Sequence, residues 1–386
     1  MEGRDSGVAL TARQLNRATL ARQLLLRREK LGVVEAVHRI VALQAQEPAS
    51  PYLALWNRLA PFDPTELDRA FADLAIVKGT LLRITLHAVD AADYPAFHRA
   101  MQPTLRASRL NDRRFTRTGL SREDSDKLIP EVMRYAARGR TNAEVEAWLD
   151  ERIGVTPKPG VWWALRQSGP FIHAPAAGPW SFGPRPTYAP ARTKPHVGPD
   201  EVAVRHLVRR YLEGFGPASA KDAAQFGTIL VPPSRAALES LVEARDAERL
   251  AGPGGAVLYD VPGGLRPSED AAAPPRLMAM WDSALLAYAD RSRIIPPDYR
   301  KLVMRNNGDV LPTLLVDGLV AGVWRPLDGR IEATAFHRLS KADWAGLAKE
   351  AEALIAFLAD REPAVYRRYA RWWTSLPGAE VRVLGG

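Results

Sequence analysis

Residues 33–59 read VVEAVHRIVALQAQEPASPYLALWNRL, and this stretch decides how the chain is organised. The apolar spacing from Val33 to Leu43 predicts an amphipathic helix. Pro48 follows closely, and proline disfavours the α conformation in the residue before it, so the helix is expected to run through Val41 and unwind near Gln46. Gln44 and Gln46 lie two residues apart at that terminus. On a continuous helix they would point to nearly opposite sides. In extended backbone they share a side, so both amides are expected to face one cavity. A glutamine takes no proton at neutral pH, but it donates and accepts hydrogen bonds and so can orient a water.

Working outward, Thr11 to Arg28 has helical spacing with Thr11 as its cap. Asp63-Pro64-Thr65-Glu66 marks a third helix, running to about Leu74, with Asp63 capping and Pro64 in the first turn. The β-branched segment IVKGTLLRITLHAV (76–89) then predicts paired strands. Short helices followed by a β-hairpin form the pattern of a winged helix. The pattern recurs over 121–137, 142–152 and 162–167, with FIHAPAAGPWSFGPRPTYA (171–189) as the wing. A third round starts at Pro199, with helices to Glu213, over 219–226 and over 233–245, and RLAGPGGAVLYDV (249–261) as the wing. GGLRPSEDAAAPP (263–275) reads as a linker. Beyond it, RLMAMWDSALLAYADR, KLVMRNN, VLPTLLVDGLVAGVWR and GRIEATAFHRL are expected to supply strands. Gly308-Asp309 and Asp317-Gly318 are turns, and Ala342 to Ala359 is a closing helix. The expected fold is α+β: three tandem winged helices over 8–120, 121–196 and 197–264, then a small β-rich domain over 275–386.

The chain has 386 residues, 46% of them hydrophobic and 25% charged, the profile of a globular protein of several small domains. It has no cysteine, which excludes disulfides, thiolate zinc sites and cysteine nucleophiles. The seven histidines show no metal spacing. There is no P-loop, no GxGxxG after a strand and no GxSxG elbow, so nucleotide hydrolysis, Rossmann redox chemistry and serine hydrolysis have no support. MEGRDSGVALTARQL lacks a signal-peptide core, and no stretch reaches the length of a membrane span. A cytoplasmic, monomeric protein is expected, without metal or cofactor.

Net charge is +9, carried mostly by arginine, and the isoelectric point is about 9.8. Guanidinium matches phosphate and stacks on bases, so a nucleic-acid partner fits this balance, as does a merely soluble surface. From Arg99 to Arg140, eleven basic residues face five acidic ones, a net +6. Arg109, Arg113, Arg114 and Arg117 of that run are expected to meet DNA phosphates. A second cluster, Arg291 and Arg293 with Arg300, Lys301 and Arg305, is read as a further DNA-binding face or as pairing with acids elsewhere in its domain. Arg83, Thr85 and His87 alternate on one strand face, toward DNA or into a buried polar network. The tryptophans Trp56, Trp162, Trp163, Trp281 and Trp324 are expected in the core.

LTARQLNRATLARQLLL (10–26), the 33–59 stretch, KGTLLRITLHAVDAADYPAF (78–97), YLEGFGPASAKDAAQF (211–226) and MWDSALLAYADRSRIIPPDY (280–299) resemble, over nearly the whole chain, the winged-helix DNA-binding proteins that include the AlkZ/YcaQ DNA glycosylases. That resemblance implies three winged helices and a β-domain in a C-shaped clamp. It implies a Gln-Φ-Gln catalytic motif, with Φ apolar, matched here by Gln44-Ala45-Gln46. The alanine is a small Φ. It further implies a monofunctional glycosylase that releases N7-alkylated purines from double-stranded DNA, and in the AlkZ branch unhooks interstrand crosslinks as antibiotic self-resistance. Gln44 and Gln46 are then expected to hold the attacking water, with Glu47 and His87 as supporting groups. Glu47 also reads as a plain helix-end carboxylate. A winged-helix regulator without catalysis, and a scaffold with an incidental basic face, are the rival readings.

Overall fold

In the computed structural model, which describes residues 9–154, 159–183, 185–194, 196, 198 and 200–385, the helix that starts at Val33 stops at Ile40, earlier than the apolar spacing predicts. Val41 turns to a φ of 74°, costly for a β-branched residue. The chain then enters a short strand, β1 (Leu43–Gln44). The strand pairing, not Pro48, ends the helix. Pro48 lies in the turn before the next helix, Ser50–Trp56. The first helix likewise ends at Arg22, not Arg28. Thr11 and Gln14 cap it reciprocally, and Leu24 leaves the helical region at a φ of 55°.

The segment 76–89 forms the expected hairpin, β2 (Ile76–Leu81) and β3 (Thr85–Asp90). The strands β4 (Arg140–Thr141), β5 (Phe171–Ala174) and β6 (Thr187–Pro190) come from the next helical round. All six join one sheet in the order β1-β3-β2-β5-β6-β4. The link is β2 with β5, which sets Lys78 opposite His173 and Gly79 opposite Ile172. A Cβ on Gly79 would sit 3.3 Å from both the Phe171 carbonyl oxygen and the Tyr94 ring, so glycine permits that close approach.

The helices Asp200–Phe215, Ala220–Gly227 and Val231–Glu243 precede a third hairpin, β7 (Glu248–Ala251) and β8 (Val257–Asp260). Pro199 and Pro184 lie outside the described residues. Residues 263–275 carry no regular element, as expected of a linker, yet they are tethered: Thr11 Oγ1 donates to Glu269 at 2.8 Å. In the C-terminal part, β9 (Arg276–Leu277), β10 (Thr313–Val316), β11 (Leu319–Leu327), β12 (Arg330–Ala335) and β13 (Glu380–Leu384) form a sheet ordered β13-β12-β11-β10-β9. Asp317-Gly318 makes the β10–β11 turn with both residues at positive φ, as its sequence predicts. KLVMRNN is not a strand: Arg300–Val303 is helical and only Met304 bridges to Val310. Most of RLMAMWDSALLAYADR is also not strand, because Asp282 caps the short helix Ser283–Leu286. Apolar content alone could not separate a buried turn of helix from a buried strand.

Several arginines are internal struts. Arg58 holds Asp282 through two 2.8 Å hydrogen bonds, and both side chains are buried. Arg22 donates to Asp260 at 2.8 Å, and Arg28 forks onto Glu350 at 2.9 and 2.7 Å. The largest apolar core joins the first helices, such as Leu53 and Phe71, to the C-terminal sheet and the helix Lys341–Ala359. Part of the net positive charge thus serves packing rather than any partner.

Candidate functional site

The break at Val41 puts Gln44 into sheet register opposite His87. Its side chain is 4% exposed, and its Oε1 accepts the Gln46 backbone N–H at 2.8 Å. Ala45, fully buried, donates its N–H to the Leu86 carbonyl at 2.8 Å. Gln46 follows the strand and is exposed. The two amides therefore do not share a cavity as equals. Gln44 fixes the backbone, and Gln46 projects from it.

Gln46 borders a recess of about 160 Å³. Lys78 on β2, His173 on β5, Phe182 and Arg185 in the loop before β6, and Arg368 from the C-terminal segment complete its polar rim and apolar wall. Four separate stretches of chain meet there. No carboxylate lines it among the described residues, so its field is positive. Lys78 is 3% exposed, and its amine lies 4.3 Å from the centre of the Phe182 ring. Burial lowers its pKa to about 7. Burial and the neighbouring Lys78 charge hold His173 well below its ordinary value, so that imidazole is neutral.

Glu47 stands behind the recess, where its Oε2 accepts from Arg368 Nη2 and from the Tyr369 hydroxyl, the latter at 3.1 Å. Burial raises its carboxyl above the ordinary range against the pull of those two donors. Its ion pair is with Arg368, which itself lines the recess.

His87 is fully buried. Its Nε2 lies 3.0 Å from Arg83 Nη2, which is always a donor, so Nε2 accepts and Nδ1 carries the proton toward the Thr85 carbonyl at 3.2 Å. Burial, then the Arg83 charge, keeps it neutral and well below its ordinary pKa. Arg83 sits in the turn before β3, at a φ of 54°, and burial pulls it down to about 9. His87 is thus held in a polar network by Arg83 and the Thr85 carbonyl, while the Arg83 and Thr85 side chains are half-buried.

Among the other arginines, Arg113, Arg114 and Arg117 are exposed on or beside the short helix Arg113–Thr116. Arg109 and Arg114 both stack on Trp163, at 4.8 and 4.4 Å. Trp163 is half-exposed, a departure from the expected core, whereas Trp56, Trp162, Trp281 and Trp324 are buried. Arg291 donates to the Met304 sulfur at 3.0 Å. Arg293, half-buried, stacks on Tyr288 at 3.9 Å and donates to the Pro217 carbonyl at 3.0 Å. No cluster of metal-ligating side chains exists among the described residues, and no described helix is long and apolar enough to cross a membrane.

Sequence reasoning did not single out Lys78, His173, Arg185 or Arg368. Lys78 carried a faint signal, a lone cation within a β-branched strand segment. The others reach the recess only through the β2–β5 pairing and the fold of the C-terminal segment.

The family described as DNA glycosylase AlkZ-like matches residues 37–357. A curated relative from Streptomyces sahachiroi, named an interstrand DNA cross-link repair glycosylase, is 24% identical over 363 residues, covering 88% of this chain and 94% of its own. The solved structure titled Streptomyces sahachiroi DNA glycosylase AlkZ superposes with a TM-score of 0.76 at 21% identity, over 92% of this chain and 99% of that one. With a match spanning most of its length and an exposed glutamine beside a cationic recess, this chain belongs to the AlkZ-like DNA glycosylase family.

Proposed function

We propose that the protein is a monofunctional DNA glycosylase that hydrolyses the N-glycosidic bond of N7-alkylated purines and extends to interstrand crosslinks. The observation that carries this reading is the exposed Gln46 amide at the rim of a recess lined by Lys78, Arg185 and Arg368 and, among the described residues, by no carboxylate. An N7-alkylated purine is cationic, so its glycosidic bond is already weak and a strong base is unnecessary. A water held by the Gln46 amide beneath C1′ would suffice, and positioning supplies part of the ~7–11 kcal/mol available from ideal orientation. Gln44 acts behind it, fixing the Gln46 backbone through the 2.8 Å bond. A relative named as a cross-link repair glycosylase supports the substrate class.

In this reading the chain folds as three winged helices (8–120, 121–196 and 197–264) and a β-rich domain (275–386), forming a C-shaped clamp around duplex DNA. Arg109, Arg113, Arg114 and Arg117 contact phosphates. The protein works as a cytoplasmic monomer without cofactor. Mass analysis of bases released from methylated DNA tests it. Wild type is expected to free 7-methylguanine, while Gln46→Ala keeps DNA affinity and loses release. No release by wild type, together with a sequence-selective shift of a promoter fragment, would establish the non-catalytic regulator instead.

A further inference from the structure

The buried amine of Lys78 lacks a hydrogen-bond or ion-pair partner among the described residues, although it lines the recess beside Gln46. Arg185, exposed, and Arg368 bring two more cations to the same space. A buried charge is normally paired, so this set is built for an anion that arrives with the substrate. We propose that the recess is a phosphate subsite that seats a DNA phosphodiester beside the damaged nucleotide, with Lys78 as its innermost cation. The proposal rests on the glycosylase reading for its substrate. A cationic N7-alkylated base would be repelled here, whereas a phosphodiester is attracted, and it would set a negative charge next to the sugar on which positive charge develops.

Proton linkage follows. With an unoccupied-state pKa of about 7, Lys78 is largely neutral above that pH, and an entering phosphate draws a proton onto it. The groups facing it are Glu47, oriented onto Arg368, together with His173, Arg185 and Arg368. His173, held well below its ordinary value, stays neutral across pH 6.5–9, which leaves Lys78 and, through its field, Glu47.

The test is anisotropy titration of a duplex carrying a tetrahydrofuran abasic analogue, from pH 6.5 to 9 at fixed ionic strength. Wild-type affinity is expected to fall above pH 7, by at most about tenfold per pH unit for one linked proton. Lys78→Arg, permanently charged, should bind with a flat pH profile and retain affinity at pH 9. Lys78→Met should be flat and about tenfold weaker, while its thermal midpoint stays at or above that of wild type. Glu47→Gln should keep the wild-type slope. Lys78→Met with wild-type affinity and slope overturns the proposal, as does a slope lost only in Glu47→Gln. Sodium phosphate, balanced against chloride, distinguishes the source. Competition in wild type but not in Lys78→Met means the recess takes free phosphate, and no competition with the slope intact means it takes phosphate only within DNA. The assay reads binding alone. Linked binding without base release would sink the glycosylase reading and leave the subsite standing; base release with a flat profile would do the reverse.

Discussion

The two glutamines share a motif but not an environment. Gln46 is exposed at the recess, and Gln44 is buried, its amide oxygen tied to the Gln46 N–H. Truncating them should therefore fail in different ways. Gln46→Ala is expected to cut base release by roughly 10²–10³-fold, the scale of losing one transition-state hydrogen-bonding group, with the dissociation constant for DNA unchanged. Gln44→Ala should instead lower stability by about 1 kcal/mol, because it strips a partner from the part-buried Gln46 backbone donor. Its release rate should fall less than that of Gln46→Ala. Single-turnover base release and urea denaturation separate the two. Lys78 gives a second check at this scale, in the free protein. Its folded pKa of about 7 lies below its ordinary 10.5, so between these values the unfolded chain binds more protons. Stability should then rise as pH increases from 7 toward 9, before Arg83, pulled down to about 9, adds its own contribution. Lys78→Met should flatten that rise in unfolding curves taken at pH 7, 8 and 9.

At the scale of elements, the basic patch depends on how two helices touch. Gly160, in the helix Pro159–Ser168, lies against the turn Arg113–Thr116, and a Cβ there would come within 2.0 Å of the Arg114 carbonyl oxygen. Backbone cannot swing aside as a side chain can. Gly160→Ala is expected to cost about 1–3 kcal/mol by overpacking and to disturb the stacking of Arg109 and Arg114 on Trp163. Thermal unfolding, with hydrogen exchange across 109–117, reads both effects. Arg114→Ala should leave the fold intact, weaken DNA binding evenly across sequences and lower the salt slope by about 1. A sequence-dependent loss would show base reading instead.

At the scale of the whole molecule, distant parts of the chain hold one another. Arg58, from just past the glutamine segment, forks onto Asp282, more than two hundred residues later, with both side chains buried. Removing one partner strands the other charge. Asp282→Ala is expected to destabilise by about 3–5 kcal/mol in denaturant unfolding. The same contact joins the core beneath the glutamine segment to the C-terminal sheet, so activity should fall with folded fraction rather than by a separate defect. The Arg28–Glu350 pair spans a longer separation but is less deeply buried, and its loss should cost less.

Much of this was legible in the order of residues. The capping of the helices at Thr11 and Asp63, the hairpin at 76–89 and the Asp317-Gly318 turn follow from local chemistry: side-chain oxygens meeting free N–H groups, β-branched spacing, and residues that tolerate positive φ. The glutamine motif was legible too, because its residue types and spacing are local. The end of its helix was not, since the pairing of Leu43 with Ala88 overrode apolar periodicity. Nor were KLVMRNN, whose burial sequence cannot tell from that of a strand, or the internal work of Arg58. Sequence alone fixed which short-range turns, caps and amides exist. Tertiary structure alone decided that Gln46 rather than Gln44 reaches the surface, and that Lys78, Arg185 and Arg368 surround it. Those neighbours lie up to some three hundred residues away in the chain, and only strand pairing and core packing bring such distant charges into one recess.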